Sequence, residues 1–117
     1  MTPLTPAAAG KGTAAPAAAG TTLPPMSEAA WQGRVIDYAR LRGWTVMHHP
    51  DSRRATAAGW PDLSLVRPPR LIFAELKAQQ GRVRPEQALM HAVLRHCSVD
   101  VWVWRPSDWP QVMETLA

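Results

Sequence analysis

The chain has a single cysteine, Cys97, among its 117 residues, so neither a disulfide framework nor a zinc cluster of several thiolates is open to it. It has no stretch near the roughly 18 apolar residues that a membrane span requires, which leads us to expect a soluble, cytoplasmic protein. The N-terminal segment is poorer still. Met1 to Met26 is mostly Ala, Pro, Gly and Thr with Lys11 as its only charge, and it has neither apolar periodicity nor the bulky side chains that offset the entropy of ordering. Pro3, Pro6 and Pro16 interrupt what would have to be the apolar core of a secretory signal, and without an arginine the stretch does not fit a transit peptide. Residues 1–26 are therefore expected to be a disordered arm and residues 27–117 one domain, small but within the range that folds alone.

That domain holds all six tryptophans, which supply large buried area. The formal net charge of +4 is modest support for a polyanionic partner. Its placement says more. Arg53, Arg54, Arg67, Arg70, Arg82 and Arg84 all fall in loops expected to surround the carboxylates described below.

Ser27 reads as an N-cap for a helix in which Trp31, Val35, Tyr38 and Ala39 recur at helical spacing and which ends at Gly43. Trp44 to His48 reads as a first strand and Pro50 to Gly59 as a polar, basic loop. Asp62 to Val66 alternates as a second strand after Pro61. Arg67-Pro68-Pro69-Arg70 is a turn so short that the next strand, Leu71 to Ala78, must run antiparallel. Pro85 opens a second helix carrying Leu89, Met90, Val93, Leu94 and Cys97, with Cys97 expected to be a small buried residue. Val101 to Trp104 is apolar on both sides, as an interior strand under helices would be, with Trp102 and Trp104 expected in the core. A last helix is expected to be capped by Ser107 or Asp108. The order is α-β-β-β-α-β-α, an α/β arrangement with a mixed central sheet flanked by helices.

Within it, Phe73, Glu75 and Lys77 share one face of their strand, because residues two apart point the same way. Ile72, Ala74, Leu76 and Ala78 form the apolar face. If the hairpin turns at Pro68-Pro69, counting brings Asp62 to the region of Glu75 and Lys77. Two carboxylates and the backbone carbonyl of Leu76 make a hard-oxygen site for Mg²⁺ or Mn²⁺. Lys77 would then orient a water and offset charge on a phosphate. Gln87 could hold this centre by hydrogen bonds or serve only as a helix cap. Glu28, in the first turn of the first helix, could add a ligand or simply complement the helix dipole. Of His48 and His49 at most one can reach the site, because neighbours on a strand face opposite ways. His91 and His96 read as helix-surface or boundary residues.

The run Gly59-Trp60-Pro61-Asp62-Leu63, then Phe73-Ala74-Glu75-Leu76-Lys77, Gly81-Arg82-Val83 with Pro85-Glu86-Gln87, and Val101-Trp102-Val103-Trp104-Arg105-Pro106 resembles a stand-alone VRR-NUC domain of the PD-(D/E)XK nuclease superfamily. The resemblance covers about Ser27 to Leu116. It implies a restriction-endonuclease-like core and a Mg²⁺- or Mn²⁺-dependent DNA endonuclease, with branched DNA such as four-way junctions or flaps as substrate and a homodimer as the assembly. On this alignment Asp62, Glu75 and Lys77 match the catalytic positions, Gln87 the helix glutamine and Glu28 the first-helix acidic residue. The position four after Gln87, often aromatic in relatives, is His91. Contacts to DNA would come from Ser52, Arg53, Arg54, Arg82, Arg84 and Trp60. The rival readings are a DNA-binding accessory of the same fold that does not cut, and a restriction-type or RNA-directed nuclease. The intact Asp, Glu and Lys argue against the accessory.

Overall fold

The computed structural model describes residues 25–49 and 57–117. Helix α1 (Glu28–Leu41) starts at Ser27, whose side chain accepts from the Ala30 N–H. It ends in a Schellman closure: Gly43 at φ +87° lets its own N–H reach Arg40 O and the Trp44 N–H reach Ala39 O. The chain then forms β1 (Thr45–His48), β2 (Leu63–Arg67) and β3 (Arg70–Leu76) as an antiparallel meander. Helix α2 (Pro85–His96) crosses over to β4 (Asp100–Trp104), which pairs parallel with β3. A 3₁₀ turn (Pro106–Asp108) leads into α3 (Trp109–Leu116). The fold is thus a mixed four-stranded sheet in the order β1-β2-β3-β4 with helices on both faces, in the expected α-β-β-β-α-β-α order.

The alternation of β2 and β3 divides the molecule. Leu63, Leu65, Ile72, Ala74 and Leu76 face α1 and α3 and join Trp31, Val35, Trp44, Trp104, Val112 and Leu116 in the main core. Two of its indoles find backbone partners, Trp31 Nε1 donating to Trp104 O at 3.0 Å and Trp44 Nε1 to Leu116 O at 2.9 Å, so each buries its ring without stranding its N–H. The opposite face carries a smaller cluster of Phe73, Leu94 and Val101 under α2, with Trp60, Met90 and Val99 packed against it. Among the described residues of the expected N-terminal arm, Met26 packs on the main core; residues 1–24 lie outside the description.

Four expectations change. β4 is an edge strand among the described residues, not an interior one. Its two faces are buried by helices rather than its two sides by strands, and a both-sided apolar pattern cannot tell these apart. Cys97 is exposed at the end of α2. Asp108 does not cap α3 with its side chain; its Oδ2 accepts from the Arg105 N–H at 2.9 Å and so closes the 3₁₀ turn instead. Finally, Arg67 and Arg70 sit at the far end of the hairpin from Asp62 and Glu75. Arg67 donates to the carbonyls of Arg42 and Ala117, Arg70 to that of Thr115, and both guanidinium groups lie over the Trp44 ring. They satisfy the last carbonyls of α3, as basic side chains at a helix C-terminus do.

Candidate active site

Register brings the two carboxylates together. Leu63 pairs with Ala74, so one step further along the antiparallel ladder Asp62 stands opposite Glu75, on the face shared with Phe73. Asp62 Oδ2 accepts from the backbone N–H of Leu76 at 2.9 Å, which pins the carboxylate against the end of β3. Glu75 is only 1 % exposed. Its Oε2 accepts from Gln87 Nε2 at 2.8 Å and lies 3.4 Å from Lys77 Nζ. Its Oε1 has no hydrogen-bond partner among the described residues.

Gln87 resolves the choice left open by its spacing, because one amide fills both roles. Its Oε1 accepts from the Arg84 N–H at 2.8 Å, capping the start of α2, while its Nε2 holds Glu75. Gly59 makes this approach possible. Its φ is +84°, and a Cβ there would lie 2.7 Å from Glu86 C and 3.0 Å from Gln87 N, so only glycine lets the chain before Asp62 press against the first turn of α2.

Burial and the neighbouring Asp62 charge together push the Glu75 carboxyl up to about 8, with Lys77 working the other way. In the site as it stands, burial and like charge outweigh the lysine, and Glu75 favours its neutral form at neutral pH. A divalent cation beside the two carboxylates would reverse that balance. The donor set fits one: two carboxylates, one with a buried and unpartnered oxygen, are hard-oxygen ligands of the number Mg²⁺ commonly takes. Among the described residues no three His, Cys, Asp or Glu side chains gather closely enough to form a cage by themselves; Glu28 is exposed in the first turn of α1.

A solved structure described as a "VRR_NUC domain protein" superposes on this chain with a TM-score of 0.62 at 18 % identity, covering 80 % of this chain and 87 % of that one. A second, described as a "VRR_NUC domain", does so with a TM-score of 0.55 at 28 % identity, over 72 % of this chain and 91 % of that one. The chain shares the fold of these VRR-NUC domains. No family model matches the sequence, and no curated protein does. The VRR-NUC domains are a nuclease-domain family within the PD-(D/E)XK superfamily.

Around its paired carboxylates the chain distributes the other expected residues unevenly. Arg82 is exposed in the loop between β3 and α2, and Arg84, beside it, pairs with Glu86 at 2.8 Å. Arg105 Nη2 donates to Gly81 O at 2.8 Å, and Gln79 exchanges hydrogen bonds with Ser107, so this loop is tied to the end of β4. Trp60 is half-buried and meets Phe73 edge-on at 5.5 Å. Ser52, Arg53 and Arg54 lie outside the described residues. Of the histidine pair, His49 continues the row of Asp62 and Glu75; its N–H donates to Asp62 O and its Nε2 lies 3.0 Å from Ser64 Oγ. His48 is exposed.

At the site itself, sequence reasoning misplaced His91. It is 2 % exposed, not a surface or satisfied boundary residue, and its Nε2 lies 3.9 Å from Glu75 Oε1 with no hydrogen-bond partner of its own. Burial, then the charges of Arg95 and Lys77, hold its imidazole down to about 4, so it is neutral at neutral pH. The available signal was its spacing: four residues after Gln87, it shares that residue's helix face.

Proposed function

We propose that this domain is a Mg²⁺- or Mn²⁺-dependent endonuclease that hydrolyses phosphodiester bonds in DNA. The observation that carries the reading is the pairing of Asp62 with a buried Glu75 beside Lys77, in a VRR-NUC fold. Asp62, Glu75 and the Leu76 carbonyl would hold the cation. When bound, it would supply Lewis-acid stabilisation of charge developing on the phosphate. Lys77 would orient the attacking water by donating a hydrogen bond from Nζ and would offset charge on the pentacovalent phosphate. Gln87 would keep the Glu75 carboxylate turned toward Asp62. The exposed Arg82 and the half-exposed Arg84, with Ser52, Arg53, Arg54 and Trp60, would contact the phosphate backbone and position the strand. Glu28, in the first turn of α1, would add a further carboxylate to the cation's ligands.

Branched DNA, a four-way junction or a flap, is the substrate we favour, with a homodimer presenting two sites to two strands. Glu75→Ala and Lys77→Ala should each reduce cleavage to background while DNA binding stays nearly intact. Chelation by EDTA should do the same to the parent protein, whereas an accessory that only binds would be indifferent to both. Undiminished cutting by either variant would sink the mechanism. A panel of junction, flap, nicked, linear and RNA substrates ranks the rival specificities, and sedimentation equilibrium reads the assembly.

A further inference from the structure

We infer that His91 is a positioning residue for the Glu75 carboxylate, completing with Gln87 a two-point clamp on its two oxygens. The inference deepens the nuclease reading and rests on it. Gln87 and His91 lie four residues apart on α2 and so project from the same face, one turn after the other. Gln87 Nε2 already holds Glu75 Oε2 at 2.8 Å. His91 Nε2 faces the other oxygen, Oε1, at 3.9 Å.

Both atoms are buried, and neither has a hydrogen-bond partner among the described residues. A buried polar atom left unpaired is costly, and here two such atoms face each other about 1 Å beyond hydrogen-bond range. The last torsion of a glutamate is broad and soft, so a turn of the carboxylate together with a shift of the imidazole would close the gap. A neutral imidazole with its proton on Nε2 is a single directional donor. It would therefore fix the plane of the carboxylate without placing a second positive charge beside Lys77. Arg95, one turn further along α2, donates from Nη2 to Val101 O at 3.2 Å, while its Nε is buried without a partner among the described residues.

Second-sphere donors to metal-binding carboxylates typically change metal affinity or activity by about 10- to 100-fold when removed. That range sets the test. Mn²⁺ binding by titration calorimetry, and kcat and KM on a DNA junction, would be measured for the parent, His91→Leu, His91→Gln and His91→Met. His91→Leu and His91→Met remove the donor while keeping bulk; His91→Gln keeps an N–H. The expected result is Mn²⁺ affinity weakened about 10- to 100-fold in the first two, kcat lowered with KM for DNA little changed, and most of both recovered in His91→Gln. If His91→Leu fails to fold, the comparison of His91→Met with His91→Gln decides alone. Equal Mn²⁺ affinity and kcat in the parent and a donor-less variant would overturn the role of His91 while leaving the nuclease reading intact. Absence of Mn²⁺ binding by the parent would overturn both.

Discussion

Three side chains, Glu75, Gln87 and His91, are buried in a small site where water cannot satisfy them, and their consequences can be followed one group at a time. The Glu75 carboxyl is held up at about 8 against 4.5 in an unfolded chain, so its folded form keeps a proton that the unfolded chain has lost. Its contribution to stability is present below pH 4.5 and lost as pH rises toward 8. His91 runs the other way, down at about 4 from 6.5, so its contribution is present above pH 6.5 and lost as pH falls toward 4. Between 4.5 and 6.5 the two slopes oppose and nearly cancel. Above 6.5 only Glu75 remains, and the metal-free protein should lose on the order of 2 kcal/mol by pH 8, about 1.4 kcal/mol per pH unit per proton. Thermal melts in EDTA at pH 5.5, 6.5 and 8 read this directly, and a flat profile in the parent would contradict it. Glu75→Gln should abolish the decline. Added Mg²⁺ or Mn²⁺ should raise the melting temperature most at pH 8, because the ion binds the ionised carboxylate.

At the scale of elements, the site is an alignment problem between a hairpin and a helix. The hairpin sets Asp62 opposite Glu75, and α2 delivers Gln87 and His91 onto the same face. The approach of Gly59 to the carbonyl end of Glu86 helps to fix α2 against the hairpin, with the Gln87–Glu75 hydrogen bond and the cluster of Phe73, Leu94 and Val101. Gly59→Ala would combine a positive φ with a Cβ inside contact distance of that backbone. The strain should cost about 1–3 kcal/mol, and α2 must shift to relieve it. Cleavage below the melting temperature should therefore fall by more than the loss of folded protein explains, a result checked by comparing melting curves with single-temperature rates. If activity falls only in proportion to the folded fraction, the glycine serves stability alone.

Much of this was legible beforehand, for local reasons. A four-residue turn leaves a hairpin little choice of direction, and period-two alternation assigns faces, so Asp62, Glu75 and Lys77 could be placed by counting. Arg67 and Arg70 defeated the same reasoning, because basic residues in a turn do not reveal which end of a sheet the carboxylates occupy. His91 was obscured because a helix face is defined by what packs on it, and the sequence does not say how α2 is rotated over β3 and β4.

Over the whole molecule the sheet has two faces with different duties. Among the described residues, twelve buried ones form the main core with α1 and α3, while the buried apolar cluster beneath α2 is Phe73, Leu94 and Val101. Most of the hydrophobic stabilisation is therefore generated on the side away from the carboxylates. Leu65→Ala, in the main core, should cost about 2–5 kcal/mol and leave kcat per folded molecule unchanged well below the melting temperature. A circular-dichroism melt paired with a rate measurement tests the separation. The division also bears on descent. On the proposed reading, a lineage carrying this domain could lose Glu75 or Lys77 and still inherit a folded protein, so the end of cutting and the end of folding would be separate events, and a silent copy could persist long enough to be put to another use.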